Sequence, residues 1–267
     1  MRLSKTSEGY LNYKHQIKKD KRKILLYQIL LLVGILAIWE ALAHFNLINT
    51  FLFSKPSAIY ELFIKYLTTG ELMKHIGISV YETVLGLVVG TGLGILVAIA
   101  LWWSEKLSKI LDPFLVVLNA LPKTALAPII IVWAGAGVKG IVVTAIAISI
   151  VVTILSAYNY FINVDEEKIK MLKSFGATKT QILFKLILPS NIGNLINLTK
   201  INIGMAWVGV IVGEFLVSRY GIGYLIVYGS QVFKLDLVMM GVFVLAACAW
   251  IMYEIVNIIE KLYKKYR

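Results

Sequence analysis

Cysteine, histidine and charged side chains are all scarce in this 267-residue chain. Cys248 is the one cysteine, which excludes an intrachain disulfide and a cysteine-based metal cluster. The three histidines, His15, His44 and His75, fall far apart in predicted tails and loops. No catalytic triad or metal cluster can be assembled from them, which weighs against an intramembrane hydrolase. Only 16% of residues are charged, whereas soluble domains have about 25%.

Apolar residues make up 59% of the chain and give a mean hydropathy of +0.79. They are gathered in runs that are long enough to cross a bilayer, which takes about 20 residues per helix. The sequence therefore predicts an all-α, polytopic membrane domain over residues 24–260, between basic tails at 1–23 and 261–267. The predicted spans are 24–44, 78–103, 111–134, 140–161, 197–217 and 237–259.

The positive charges are distributed unevenly between the two sides that six spans define. Nineteen Lys and Arg residues fall in the tails, in the loop 104–110 and in the segment 162–190, whereas six fall in the opposite loops. Because positive loops stay in the cytoplasm, both termini are predicted to be cytoplasmic. A five-span arrangement would separate the two basic tails and is disfavoured. The formal charge of +12 is then explained by an anionic membrane surface and not by nucleic acid.

Residues 162–190 form the one long polar insertion on the predicted cytoplasmic side, and they are expected to fold as two short helices. Asp165 can cap the first helix, and Gly176 is placed to end it with a positive φ. Thr178 and Gln181 match a capping box for the second helix, which Pro189 should break or kink.

The first of these helices has an apolar stripe formed by Ile169, Leu172 and Phe175. A rigid helix with such a stripe is suited to act as a mechanical lever against a cytoplasmic partner. The alternative is an ordinary amphipathic loop that lies on the membrane surface.

Lys123, beside Pro122, is a charge at bilayer depth, where charged side chains usually face a cavity or a partner. It either faces a transport pathway or extends to the cytoplasmic interface. Glu82 and Glu214 are expected to be interfacial or salt-bridged in preference to contacting a substrate. Small residues at four-residue spacing predict close helix packing at Gly86, Gly90, Gly94, Gly209 and Gly213. The chain has no G-x-x-x-x-G-K-[ST] motif, so any ATP chemistry must belong to another protein.

The segment from Gly176 to Leu186-Ile187-Leu188-Pro189 resembles the EAA loop of binding-protein-dependent ABC importer permeases. Lys170, Met171 and Leu172 stand where that motif has Glu-Ala-Ala, and Leu186 replaces its isoleucine. Further similarity to the nitrate, sulfonate and taurine branch covers roughly residues 35–260. It is carried by Trp39-Glu40, Ser54-Lys55-Pro56-Ser57, Leu118 to Pro128, Ile131-Val132-Trp133, Ala206-Trp207-Val208-Gly209, Gly213-Glu214 and Gly221-Ile222-Gly223-Tyr224-Leu225.

The resemblance implies a MetI-like permease fold in the bacterial plasma membrane, with no cofactor in this chain. It implies a second permease copy as partner, a cytoplasmic ATPase dimer that binds ATP and Mg²⁺, and an extracytoplasmic solute-binding protein. It places ATPase docking on Ile169, Lys170, Met171, Leu172, Phe175, Gly176, Leu186, Leu188 and Pro189. Candidate pathway residues are Pro122, Lys123 and Glu214.

A small anion such as a sulfonate, taurine or nitrate is the implied solute, although the branch also imports other solutes, including vitamin precursors. The alternative function is ATP-independent secondary transport. It predicts an inverted internal repeat, and no clear repeat relates residues 24–134 to 140–259.

Overall fold

The computed structural model describes residues 8–266, with side chains for residues 13–20 and 22–265. The predicted tail positions 1–7 and 267 lie outside the described residues. Within residues 8–266 the chain is helical and contains no strand. The helices are α1 (Glu8–His44), α2 (Thr50–Phe53), α3 (Pro56–Thr68), α4 (Glu71–Trp103), α5 (Glu105–Ala120), α6 (Ala127–Ala134), α7 (Val138–Ile162), α8 (Glu166–Ser174), α9 (Lys179–Ile182), α10 (Leu188–Val217), α11 (Ile222–Gln231) and α12 (Leu235–Tyr266).

The chain divides into two compact units, residues 1–62 and 63–267. In the first, α1 continues the predicted first span back through residues 8–23 as one helix. The Glu40 carboxylate in α1 accepts hydrogen bonds from the Ser57 amide (2.9 Å) and hydroxyl (2.8 Å). Ser57 lies in the first turn of α3, where unpaired amides and the helix dipole favour an anion. Glu40 therefore fixes the start of α3.

The core of the second unit is α7, which packs between α4 and α10. The predicted glycine contacts are confirmed, because the α4 and α10 glycines lie directly against α7. A Cβ on Gly90 would lie 2.7 Å from the Ser149 Oγ, and one on Gly209 would lie 2.4 Å from the Ala145 Cα. Such contacts leave no room for a side chain and bring the helix backbones close together.

A buried polar contact joins the same three helices. The Asn202 amide in α10 donates to the Thr91 Oγ1 in α4 (2.9 Å) and to the Thr153 Oγ1 in α7 (2.8 Å). All three side chains are at least nine-tenths buried. Interhelical hydrogen bonds of this kind fix the rotation and axial position of each helix within a membrane.

The glycine contacts also give the relative directions of the helices. Gly86 faces Ala145 and Gly94 faces Thr153, so α4 and α7 run parallel. The chain must therefore return from the Trp103 end of α4 to the opposite end before α7 begins at Val138. Residues 104–137 make that return, which supports six crossings over five.

The predicted third span is wrong as a continuous helix. It is divided into α5, a 3₁₀ turn at Lys123–Leu126 and α6, with a bend of 89°. Leu121 is extended (φ −65°, ψ 138°) because the residue before a proline disfavours the helical region. Pro113 remains inside α5, and Pro128 lies in the first turn of α6, where its missing N–H costs nothing.

Two predicted loops are also more ordered than expected. The loop 218–236 contains the ten-residue helix α11. His75 does not lie in a loop, because α4 begins at Glu71 and His75 is 8% exposed.

Polar contacts also join α10 to the C-terminal part of α12. The Lys200 ammonium donates to both the Asn257 Oδ1 (3.0 Å) and the Glu260 carboxylate.

Candidate functional site

The segment 162–190 has the local structure that its sequence predicts. The Asp165 Oδ1 accepts the Glu167 amide (2.9 Å) and caps α8. Gly176 has a φ of +76°. Its amide donates to the Lys173 carbonyl (2.9 Å), and the next amide, of Ala177, donates to the Leu172 carbonyl (3.0 Å). These two bonds form a Schellman motif, which ends α8 and sets the direction of the chain that follows.

The second helix starts on the predicted capping box. The Thr178 side chain accepts the Gln181 amide, and the Gln181 side chain accepts the Thr178 amide. Pro189 is predicted to break or kink this helix, and the break does not occur. A π turn at Leu183–Ile187 joins α9 to α10 in one helical run, Lys179–Val217. The wider turn accommodates the missing Pro189 N–H without ending the helix.

Part of the predicted apolar stripe is covered by the chain itself. Ile169 and Leu172 pack, partly buried, against the core cluster that contains Phe161, Ile182 and Leu183. Leu186 and Leu188 pack against the same cluster. Phe175 does not share this burial and is 80% exposed. The predicted stripe is therefore two surfaces, one facing inward and one facing outward.

The outward surface of α8 carries Met171, which is 53% exposed, as well as Phe175. Beside it lies a hollow of about 240 Å³ that is lined by Leu172, Phe175, Ala177, Gln181 and Lys185. An exposed large aromatic next to an apolar hollow is typical of a surface that receives side chains of another protein.

Lys179 ties the segment to the end of α4. Its Nζ donates to the Trp103 carbonyl (2.5 Å), and it lies 5.6 Å and 5.5 Å from the Trp102 and Trp103 ring centroids. A cation at the C-terminus of α4 complements the helix dipole there. The segment 162–190 is consequently fixed to the C-terminal end of α4.

Lys123 is half-buried in the 3₁₀ turn after Pro122. Its Nζ donates to the Asn119 carbonyl (3.0 Å) and contacts the Asn119 Oδ1 (3.4 Å). That carbonyl lies in the last turn of α5, where the helix leaves carbonyls unpaired. Lys123 thus caps the broken helix, and no carboxylate lies within 4 Å of it among the residues with described side chains.

Glu82 and Glu214 differ from expectation, because both are fully buried and neither has an ion-pair partner among the described side chains. The salt-bridged interpretation is therefore wrong. The Glu214 carboxylate accepts hydrogen bonds from the Ser79 hydroxyl (2.5 Å) and the Gly223 amide (2.5 Å). A Cβ on Gly221 would lie 2.3 Å from the Glu214 carboxyl carbon.

Glu214 thus connects α10 to α4 and to the start of α11, inside the protein. The two glycines at 221 and 223 allow the backbone to reach the carboxylate. The sequence contains Gly213-Glu214 and Gly221-Ile222-Gly223, but only the folded arrangement shows that they meet.

A close-packed helical domain with five or six candidate membrane spans, one of them broken, and with a capped two-helix segment between α7 and α10, is the architecture of a multi-pass membrane protein. The chain belongs to the family described as binding-protein-dependent transport system inner membrane component, whose model matches residues 90–265. The resemblance found in the sequence is thereby confirmed: the chain is an ABC importer permease.

Individual relatives cover most of the chain. It is 28% identical over 240 residues to a putative aliphatic sulfonates transport permease of Bacillus subtilis. The alignment covers 90% of this chain and 87% of that relative. It is 25% identical over 237 residues to the taurine transport system permease of Escherichia coli, covering 84% and 85%. These relatives place it in the predicted branch of the family.

The fold is shared with a chain of the MetNI methionine ABC transporter in an inward-facing conformation. The TM-score is 0.63 at 16% identity, and the match covers 72% of this chain and 95% of the other. The predicted MetI-like fold is confirmed.

Proposed function

We propose that the chain forms half of a solute pathway with a second permease copy and is driven by a cytoplasmic ATPase dimer that docks on residues 162–190. The ATPase binds ATP and Mg²⁺, since this chain has no phosphate-binding motif. An extracytoplasmic binding protein delivers the solute. The names of the relatives and the sequence resemblance favour a sulfonate, taurine or another small anion such as nitrate.

One observation carries the docking proposal. Ile169 and Leu172 hold α8 against the core, while Met171 and Phe175 remain exposed at the end where Lys179 is bonded to Trp103. A force applied to Phe175 is therefore transmitted to α4 and α7 through packed side chains. Family membership and this arrangement both favour ATP-driven import over secondary transport.

Phe175→Asp is expected to remove the ATPase from the purified permease while the permease itself is produced at normal abundance. A buried aromatic at the centre of an interface contributes about 2 kcal/mol or more, which corresponds to roughly a 30-fold loss of affinity. The measurement is copurification of the ATPase with the tagged permease. Because the ATPase is cytoplasmic, the same result would place residues 162–190, and both termini, in the cytoplasm.

Two further variants separate docking from folding. Phe175→Leu keeps an apolar contact and should retain most of the ATPase. Leu172→Asp places a charge against the core cluster and should lower the abundance of folded permease instead. Wild-type ATPase recovery with Phe175→Asp would exclude Phe175 from the docking surface.

Lys123 is proposed to lie along the pathway, because it follows the break in the third span and is not ion-paired. Lys123→Ala should reduce solute uptake about tenfold if the ammonium binds a passing anion, since a charged hydrogen bond contributes about 1.5–3 kcal/mol. Uptake by vesicles containing the complete transporter is the measurement. Lys139→Ala, at the start of α7, is the matched control, and full uptake by Lys123→Ala would leave Lys123 as a helix cap only.

A further inference from the structure

A cavity of about 740 Å³ opens at the end of the second unit that is opposite to residues 162–190. It lies where the first turns of α4 meet the connection from α10 to α11. The side chains that determine its chemistry are Glu71, Lys74, Arg219, Tyr220, Tyr224 and Tyr228. Its volume is within the range of small-molecule sites, about 300–1,000 Å³.

The cavity has an excess of positive charge. Lys74 and Arg219 line it, and no carboxylate lies within 4 Å of either in the part of the chain that the structure describes with side chains. Glu71 is the single acidic residue in the lining. The Lys74 Nζ lies 3.7 Å from the Tyr220 ring centroid, which orients the ammonium without neutralising it. With two cations and one carboxylate in its lining, and neither cation in a salt bridge, the cavity keeps a net positive charge that favours an anionic ligand.

One wall of the cavity is a fixed stack of rings. His75 is stacked on Tyr224 (centroids 6.0 Å apart, planes at 3°), and Tyr224 on Tyr228 (5.8 Å, 17°). His75 is 8% exposed, and its Nδ1 accepts the Gly221 amide (2.9 Å). The stack is therefore anchored to the backbone at the start of α11 and offers a flat apolar surface beside the two cations.

A cationic pair beside an aromatic wall matches a ligand with a compact anionic head and a short apolar body. We propose that this cavity is a binding site for a small organic anion of the alkanesulfonate type, with Lys74 and Arg219 on the sulfonate oxygens and the tyrosine stack against the alkyl group. The proposal rests on the proposed function, because it gives the substrate class at the end of the pathway away from the ATPase. Glu71 opposes the anion and limits its affinity.

The test uses ethanesulfonate and the assembled transporter in lipid nanodiscs, without ATP and without the binding protein. Calorimetric titration should show binding to wild type, weakened about tenfold or more by Arg219→Gln and by Lys74→Gln, because each removes a charged hydrogen bond. Glu71→Gln should strengthen binding severalfold, since it removes a repulsive charge. Lys234→Gln, in the exposed turn between α11 and α12, should leave binding unchanged.

The direction of the change in affinity caused by Glu71→Gln shows whether the ligand is bound as an anion or as a cation. Absent binding in wild type, unchanged binding in Arg219→Gln, or weaker binding in Glu71→Gln would overturn the proposal. A parallel measurement of ATP-driven ethanesulfonate uptake, with the binding protein present, tests the import function separately from the binding site in the cavity. If Arg219→Gln leaves uptake unchanged, the cavity is not the binding site, although the chain is still part of an importer. If binding depends on Arg219 but ethanesulfonate is not taken up, the binding site is supported and ethanesulfonate is excluded as a transported solute.

Discussion

Replacing Gly209 with alanine should prevent α10 from packing on α7 and remove most of the folded permease from the membrane. The new Cβ would lie 2.4 Å from the Ala145 Cα and 3.0 Å from its amide nitrogen. Both are backbone atoms, so no side-chain rotation relieves the contact and the helices must separate. We expect a destabilisation of about 3 kcal/mol, at the upper end of the usual cost of overpacking.

Gly204→Ala is the matched control for this variant, because Gly204 lies in the same helix and a Cβ there has no neighbour within 4 Å. Alanine is favoured over glycine inside a helix by about 1 kcal/mol. The same substitution should therefore raise stability at 204 and lower it at 209. Thermal unfolding of the detergent-solubilised chain measures both, and equal stability of the two variants would show that α7 and α10 do not pack as described.

Ala145 explains why the effect at Gly209 should be large. Its Cβ also lies 2.7 Å from the position of a Cβ on Gly86 in α4. One small residue of α7 is therefore enclosed by a glycine on each side, and α7 cannot move away from α10 without pressing on α4.

The small-residue contacts are predictable from the sequence because glycines spaced by four residues lie on one helix face. The sequence does not predict whether α4 runs parallel or antiparallel to α7, because the same glycine spacing allows either packing. The caps of α8 and α9 are also predictable, because Asp165, Gly176 and the Thr178–Gln181 pair act within a few residues of their own positions.

The predictions that failed needed information from elsewhere in the fold. Residues 111–134 are predominantly apolar, and hydropathy does not register that Pro122 forces Leu121 into an extended conformation. The burial of Glu82 and Glu214 depends on α4, α10 and α11 meeting at one place. The apolar stripe failed for a geometric reason: three-residue steps drift by about 60° each on a helix, so Phe175 lies about 120° from Ile169.

Gly176→Val should leave the permease in the membrane but uncouple it from the ATPase. At a φ of +76° a residue with a Cβ costs about 1–2 kcal/mol, and a β-branched one costs more. A Cβ at Gly176 would meet no atom within 4 Å, so the effect comes from the backbone alone. To escape the strain, the chain must abandon the two Schellman hydrogen bonds between Lys173 and Gly176 and between Leu172 and Ala177.

The consequence is local because the glycine contacts that join α4 and α10 to α7 lie outside this turn. Abundance and thermal stability should therefore stay near wild type. Releasing the turn changes the direction in which Phe175 points, since Phe175 immediately precedes it, and it opens the hollow that Ala177 and Leu172 line. We expect ATPase recovery and solute-stimulated ATP hydrolysis to fall at least tenfold, because docking depends on the position of one exposed aromatic.

Gly176→Asn is the control that separates strain from loss of glycine itself. Asparagine adopts the left-handed conformation more readily than other non-glycine residues. It should therefore keep the turn and most of the ATPase activity that valine removes. If Gly176→Val supports full ATPase recovery and full uptake, the turn does not position a docking surface, and residues 162–190 would instead fit an amphipathic segment that lies on the membrane surface.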